Sequence, residues 1–309
     1  MARQHAPVSE PYRGIAHDTR NTHRRWRQAS VRPAAGRGVS VAYRKHGHSI
    51  ARCLQCGLLF VADPPPGEAL PALYEPSFFQ AGHKFESGPG GSSGARRNAE
   101  LRLRAIDRPA GTLLDVGCAT GDFLLEARRQ GWKVAGVEWS QYAAEEARRR
   151  GLDVQNASFP EARFSGERFD VITFWDYIEH VAEPSRHLRH AHSLLKPGGL
   201  LVLSTGDTAS LFARLSGRHW HLMIPPKHLF FFSRSSIRVL LGRTGFDVKW
   251  IRWPGKHVNI GFLADKAGKM FPSPATRLLA RLAEKTGIGR FDAYINLRDI
   301  MTVAAVRQG

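Results

Sequence analysis

Residues 113 to 124, "LLDVGCATGDFL", place an apolar run, an acid, two glycines and a second acid in close succession. Leu113, Leu114 and Val116 read as a short buried strand, and Phe123 and Leu124 restart the apolar pattern at helical spacing. Between them Gly117, Cys118, Ala119 and Gly121 keep the turn almost bare of side chains, which lets backbone approach a ligand closely. Glu138, 21 residues after Gly117, ends the next apolar run, "KVAGVE". A carboxylate there can accept hydrogen bonds from both hydroxyls of a ribose, so turn and acid together predict an adenosine-like ligand. The spacing is not the G-x-G-x-x-G of a pyrophosphate site, and no phosphate-binding lysine follows. Asp115 and Asp122 flank the turn; they would repel a pyrophosphate and suit a cation.

Holding a turn and an acid at adjacent strand ends requires a parallel sheet, and the chain alternates strand and helix accordingly. "TLLDVG" is followed by a helix over 122 to 130, and "KVAGVE" by the helix "SQYAAEEARRR" with Ser140 as its N-cap. "LDVQNA" is a weak third strand and "FDVITFWD" a strong fourth, with a helix over 185 to 195. "GGLLVLST" is the fifth, entered through the turn "LKPGG". "RSSIRVLLGRTG" is a helix with a glycine stop, "FDVKWIRW" the sixth strand and "IMTVAAV" the last. The expected fold is α/β: a Rossmann-like, doubly wound, seven-stranded sheet with its last strand antiparallel. Ligands of such sheets bind outside the carboxyl ends of the strands.

The formal charge of +18 is extreme, and half of it lies at one end. Residues 1 to 52 carry eleven Lys and Arg against two acids, a net of +9, with almost no apolar periodicity. Such a segment buries too little surface to offset its ordering entropy, so residues 1–45 are expected to form a disordered basic arm. It is either a contact for nucleic acid, anionic lipid or a phosphorylated substrate, or a solvated extension. No run of 18 apolar residues predicts a membrane span and no secretory signal is evident. Three cysteines cannot build a disulfide framework, so a cytoplasmic location is expected.

Residues 105 to 253 resemble a class I S-adenosylmethionine-dependent methyltransferase. "DVGCATG" matches the first motif of that family with Ala119 for its middle glycine, and "GVE" matches the second. "FDVITFWDYIEHV" matches the motif after the fourth strand, and "LLKPGGLLVLST" the turn and strand that follow. Beyond the core, "CLQCGLLFVADPPP" and "LYEPSFF" resemble the N-terminal module of bacterial methyltransferases that modify sugars, polyketide-type metabolites and cell-surface glycans. "LSGRHWHLMIPPKHLFFFS" resembles their lid, and "RDIMTVAAVR" their last strand. The implied organisation is an arm (1–45), a Cys-x-x-Cys module with linker (46–95) and a methyltransferase domain (96–309) with a lid (206–232) and a helical insert (254–298).

The resemblance implies S-adenosylmethionine as cofactor and a small-molecule, sugar or lipid/glycan-precursor acceptor. It places Asp115, Gly117, Cys118, Ala119 and Gly121 at the methionine and ribose end, and Glu138 on the ribose hydroxyls. Asn156 or Ser158 would meet the adenine. Asp176 leaves the fourth strand beside the cofactor, and Trp175 belongs either there or in the core.

Methyl transfer is an in-line displacement at an activated carbon, so alignment supplies much of the acceleration and a histidine base serves a hydroxyl, amine or enol acceptor. His180, past the fourth strand, and His228, on the lid, are the candidates; Tyr74 is a weaker one, and His187 and His190 are expected to be solvated. On the lid, Trp220 and His228 would face the acceptor while Phe230 and Phe232 anchor the segment, unless it is a packed loop with no substrate role. No metal is assigned: Cys53 and Cys56 have the spacing of half a zinc site, with only His46 and His48 nearby, and the second cysteine pair of many relatives is missing. The alternative, a nucleic-acid-binding protein or RNA methyltransferase using the basic arm, lacks the Asn/Asp-Pro-Pro-Tyr motif for base amines. It also lacks a cysteine nucleophile past Cys118.

Overall fold

The computed structural model describes residues 38–66, 93–166, 168–270 and 273–309; residues 1–37, Tyr74 and the linker up to residue 92 lie outside them. The described chain begins with three antiparallel strands, β1 (Val39–Lys45), β2 (His48–Cys53) and β3 (Leu59–Val61). Strand β1 falls within the stretch expected to be arm. It is an edge strand whose Val39 and Val41 stay exposed, so no inward alternation marks it in the sequence. The cysteine knuckle turns β2 into β3: the Cys53 N–H donates to the Leu58 carbonyl, and the Gly57 N–H to the Cys53 carbonyl. His46 and His48 sit at the other end of β2, where Lys45 pairs with His48 while Cys53 pairs with Val39. The length of the strand, about 16 Å at 3.3 Å per residue, keeps those histidines from the cysteines.

Helix α1 (Ser93–Arg104) starts inside the glycine-rich linker. The alternating region follows as β4 (Thr112–Val116), α2 (Asp122–Arg129), β5 (Lys133–Glu138), α3 (Gln141–Arg149), β6 (Val154–Asn156), β7 (Phe169–Trp175), α4 (Pro184–Leu194) and β8 (Leu195–Gly206). Next come α5 (Leu211–Ser216), β9 (Phe230–Phe231), α6 (Arg234–Gly242) and β10 (Phe246–Arg252). The stretch 254–298 holds helices α7 (Ile260–Met270) and α8 (Pro274–Lys285) between the strands of a two-stranded ribbon, β11 (Lys256–Asn259) and β12 (Asp292–Ile295). Strand β13 (Ile300–Arg307) closes the chain.

The main sheet has the order β10-β13-β8-β7-β4-β5-β6. β13 runs antiparallel to β10 and β8, and the other pairings are parallel, so the seven-stranded doubly wound sheet is as expected. Strands β4 and β7 are almost wholly buried because helices cover both faces, which is why their sequences are continuous apolar runs. Ser140 caps α3 by accepting the Ala143 N–H, and Ser233 and Ser236 form a reciprocal capping box on α6. The "LKPGG" turn is a bulge within β8: Leu195 already pairs with Phe169, and pairing resumes at Leu200 with Val171. Since β5 and β6 wind to one side of β4, and β7 and β8 to the other, the crevice opens at the carboxyl ends of β4 and β7.

The N-terminal module and the segment after β8 form one unit. Strand β9 is the fourth strand of the module's sheet, with Leu59 opposite Phe231 and Phe60 opposite Phe230. Ile50, Leu59, Val61, Trp220, Met223 and Phe231 make a separate small core between them. Among the described residues no helix is long and apolar enough to cross a membrane.

Candidate active site

The glycine turn leaves β4 in the left-handed region, with φ +74° at Gly117, +49° at Ala119 and +85° at Gly121. A Cβ on Gly117 would lie 2.7 Å from the Tyr177 ring, and one on Gly121 would overlap Leu152, so both positions require glycine twice over. Ala119 accepts a conformation that costs an L-residue roughly 1–2 kcal/mol. Its N–H is held by Glu138: Oε2 accepts from Ala119 at 2.9 Å and Oε1 from Ser140 at 2.8 Å. Glu138 thereby ties the turn after β4 to the helix after β5, and each oxygen keeps a further lone pair for a ribose hydroxyl. Burial raises its pKa, and the backbone donors at Ser140 and Ala119 pull it back. Trp139, next to it, exposes about half of its surface at the strand ends.

Asp115 lies one residue before the end of β4 and is buried, its Oδ1 accepting the Thr173 hydroxyl of β7 at 2.7 Å. Burial pushes its carboxyl up to about 7, against the pull of Thr173 and Arg102. Cys118 turns under the loop into the core, against Gly136. Trp175 is a core residue, edge-on to Phe123 at 5.4 Å, with its indole nitrogen buried and unpartnered. Arg102 of α1 lies over the Trp175 ring at 5.2 Å and donates to Asp176 Oδ2 at 2.8 Å. Asp176 also accepts the Ser204 hydroxyl, and it adopts φ +49° as the chain turns off β7 into the crevice. Asn156 spends its amide on the Glu138 and Trp139 carbonyls.

Beyond β7 the chain is stitched to the segment 227–230. The Glu179 carbonyl accepts the Leu229 N–H at 2.8 Å, and the Phe230 N–H at 3.2 Å. The His180 Nδ1–H donates to the Lys227 carbonyl at 2.9 Å, since a carbonyl can only accept. The His180 and His228 rings meet edge to face, centroids 4.6 Å apart. The two candidate bases are therefore neighbours. Burial lowers the His180 pKa, more than the Lys227 carbonyl and Asp176 raise it. The Glu179 carboxyl is buried beside them and pushed up to about 8, by burial first and the charge of Asp176 second.

Two expectations are corrected. Trp220 does not face an acceptor: it is 2% exposed in the small core, its indole N–H donating to Asp299 at 2.8 Å. His187 is not solvated and His190 is only partly so, because α4 turns that face onto Phe159. His187 is buried with Nδ1 2.8 Å from the Tyr177 hydroxyl, and burial drives its pKa down to about 3. Phe230 and Phe232 are buried in the main core. Sequence reading missed Arg102, which reaches the site from an upstream helix, and Glu179, whose only signal was its position beside His180.

The sequence model of a methyltransferase domain family matches residues 92–249, just over half of the chain. The chain belongs to the methyltransferase domain family. S-adenosylmethionine is the cofactor of such methyltransferases, and the bare turn, the Glu138 carboxylate with spare lone pairs and the acid-flanked crevice fit it. The methyltransferase is 32% identical over 176 residues to a ubiquinone biosynthesis O-methyltransferase of Ruegeria pomeroyi, covering 48% of this chain and 71% of that one. It is 34% identical over 140 residues to a protein of the same description from Pseudomonas paraeruginosa, covering 40% and 60%. Against two relatives of that description from Cereibacter sphaeroides the match spans half of their length. The cyclase SpnF shares the fold at a TM-score of 0.54 and 18% identity, covering 79% of this chain and 97% of that one.

Proposed function

We propose that this methyltransferase carries the methyl group of S-adenosylmethionine to a hydroxyl oxygen of a small molecule, with the His180–His228 pair taking the proton. The observation that carries the reading is that pair: two imidazoles edge to face at 4.6 Å, on the carboxyl side of β7. Tyr177, three residues before His180, packs on the Gly117 turn, which ties the pair to the cofactor loop. The O-methyltransferase description of the relatives supports oxygen as the acceptor atom.

The acceptor oxygen attacks the methyl carbon as the carbon–sulfur bond breaks. The hydroxyl proton passes to an imidazole, and the sulfonium becomes a neutral thioether. Burial keeps His180 neutral near pH 7, the form a base needs, and its Nδ1–H bond to Lys227 leaves Nε2 with the lone pair. Methyl-labelled cofactor should transfer label to members of a panel of phenols, catechols, nucleotide sugars and prenylated quinols. Substituting His180 or His228 by alanine should lower turnover by about 10²-fold with cofactor affinity retained. Transfer that survives both substitutions removes the histidine base; label that appears only in RNA removes the small-molecule acceptor.

A further inference from the structure

We propose that Glu179, His180 and His228 form a binding site for a first-row divalent transition-metal cation of the zinc, manganese or nickel class. Each side chain offers one ligand atom, and the three atoms all lie within 4.8 Å of one another. Around a cation bonded at about 2.0–2.2 Å, neighbouring ligand atoms stand roughly 3–3.5 Å apart, so small side-chain rotations complete the set.

A second observation points to the same ligand. The Oε2 atom of Glu179 is buried and has no hydrogen-bond partner, in a residue only 3% exposed. A buried carboxyl oxygen without a partner forfeits its desolvation energy, and a cation between it and the imidazoles restores it. His180 is oriented as a ligating histidine is: its Nδ1–H bonds the Lys227 carbonyl, which fixes the tautomer that carries the lone pair on Nε2. The His228 side arrives on a separate segment, but the bonds from Leu229 and Phe230 to the Glu179 carbonyl hold it in place.

Donor chemistry sets the class of metal. Two imidazoles with one carboxylate suit first-row transition ions, whereas calcium and magnesium favour all-oxygen sets. Three protein ligands leave a position open, and an acceptor hydroxyl bound there would lose its proton more readily, to solvent rather than to an imidazole, because the cation holds the imidazole lone pairs. This rests on the methyl-transfer reading and changes its base: in the cation-bound form the acceptor oxygen is metal-bound and the histidines are ligands. The cysteine pair is a different site, at the knuckle between β2 and β3.

The test uses the full chain, stripped with chelator and titrated with Zn²⁺ and then Co²⁺ in the absence of acceptor. One cation per chain is expected, with a Co²⁺ spectrum of nitrogen and oxygen ligands. The Glu179→Gln and His228→Asn variants should each weaken binding by about tenfold or more, while S-adenosylhomocysteine binding persists. The Cys53→Ser, Cys56→Ser double variant should keep the cation. Failure of the native chain to bind stoichiometrically, a thiolate-to-cobalt band, or loss of the cation in the cysteine variant overturns the proposal. These outcomes need no variant of the histidine cluster to fold. A cation held normally by a chain that methylates no hydroxyl acceptor leaves the metal site standing and overturns the acceptor reading alone.

Discussion

Glu138 accepts the backbone N–H of Ala119 at 2.9 Å across the parallel pair β4 and β5, so the acid expected on the cofactor also builds the cofactor's loop. Glu138→Ala should therefore show two losses. Removing a charge-assisted bond to the ribose should weaken S-adenosylhomocysteine by about 1.5–3 kcal/mol. Stranding the Ala119 and Ser140 donors should lower stability by about 1–3 kcal/mol. Calorimetry and urea unfolding on one preparation measure both, and an intact cofactor affinity would move the ribose elsewhere.

Asp115 gives cofactor binding a pH dependence. Burial lifts its pKa to about 7, and a sulfonium and an ammonium nearby favour the ionised form, so affinity should rise as pH passes upward through that value. In the free protein the sign for stability is the reverse. A carboxyl whose folded pKa exceeds its unfolded one loses its contribution as pH climbs from about 4 to about 7. Asp115→Asn, which can still accept the Thr173 hydroxyl, should flatten the affinity profile and gain relative thermal stability above neutrality. Parallel profiles for the two proteins would count against it.

His187 acts in acid. Its folded pKa of about 3 lies below the ordinary 6.5, so the unfolded chain binds the extra proton. Its contribution is complete above about 6.5 and is lost as pH falls toward about 3. His187→Gln should make unfolding free energy less steep with pH between about 6.5 and 4.5, as followed by denaturant melts; an unchanged slope would mean the imidazole titrates normally.

Trp220 tests what the segment after β8 does. It fills the core shared with the N-terminal sheet, so Trp220→Ala should cost about 3–5 kcal/mol and release that sheet before the main one. Hydrogen exchange would show protection lost first in β1 to β3. An acceptor-facing tryptophan would instead raise KM with little change in exchange.

The parts that were legible in the sequence are those with a local period or a strand-end position. The apolar runs of β4 and β7, the Ser140 cap and the spacing from Gly117 to Glu138 each follow from residues near in sequence. The cluster of Glu179, His180 and His228 was legible only in halves, since 48 residues separate the histidines and long-range backbone bonds close the gap. Trp220 was misplaced because an apolar loop has the same sequence whether it covers a substrate or a second core. His187 was misread because α4 is judged by its own polarity, whereas Phe159, from a neighbouring element, decides which face is inward. Strand β1 leaves its first four residues exposed and turns only Tyr43 onto the small core, so little in its pattern separates it from the basic stretch before it.

The pairing of β3 with β9 makes the order of synthesis matter. The first three strands emerge from the ribosome early, yet the strand that covers β3 follows only after all five parallel strands have been made. Until then β3 presents unpaired backbone and Leu59 lacks its cover, the condition under which nascent edges stick to one another. A fragment ending before residue 230 would carry that open edge permanently. Residues 38–66 are thus early in the chain and late in assembly.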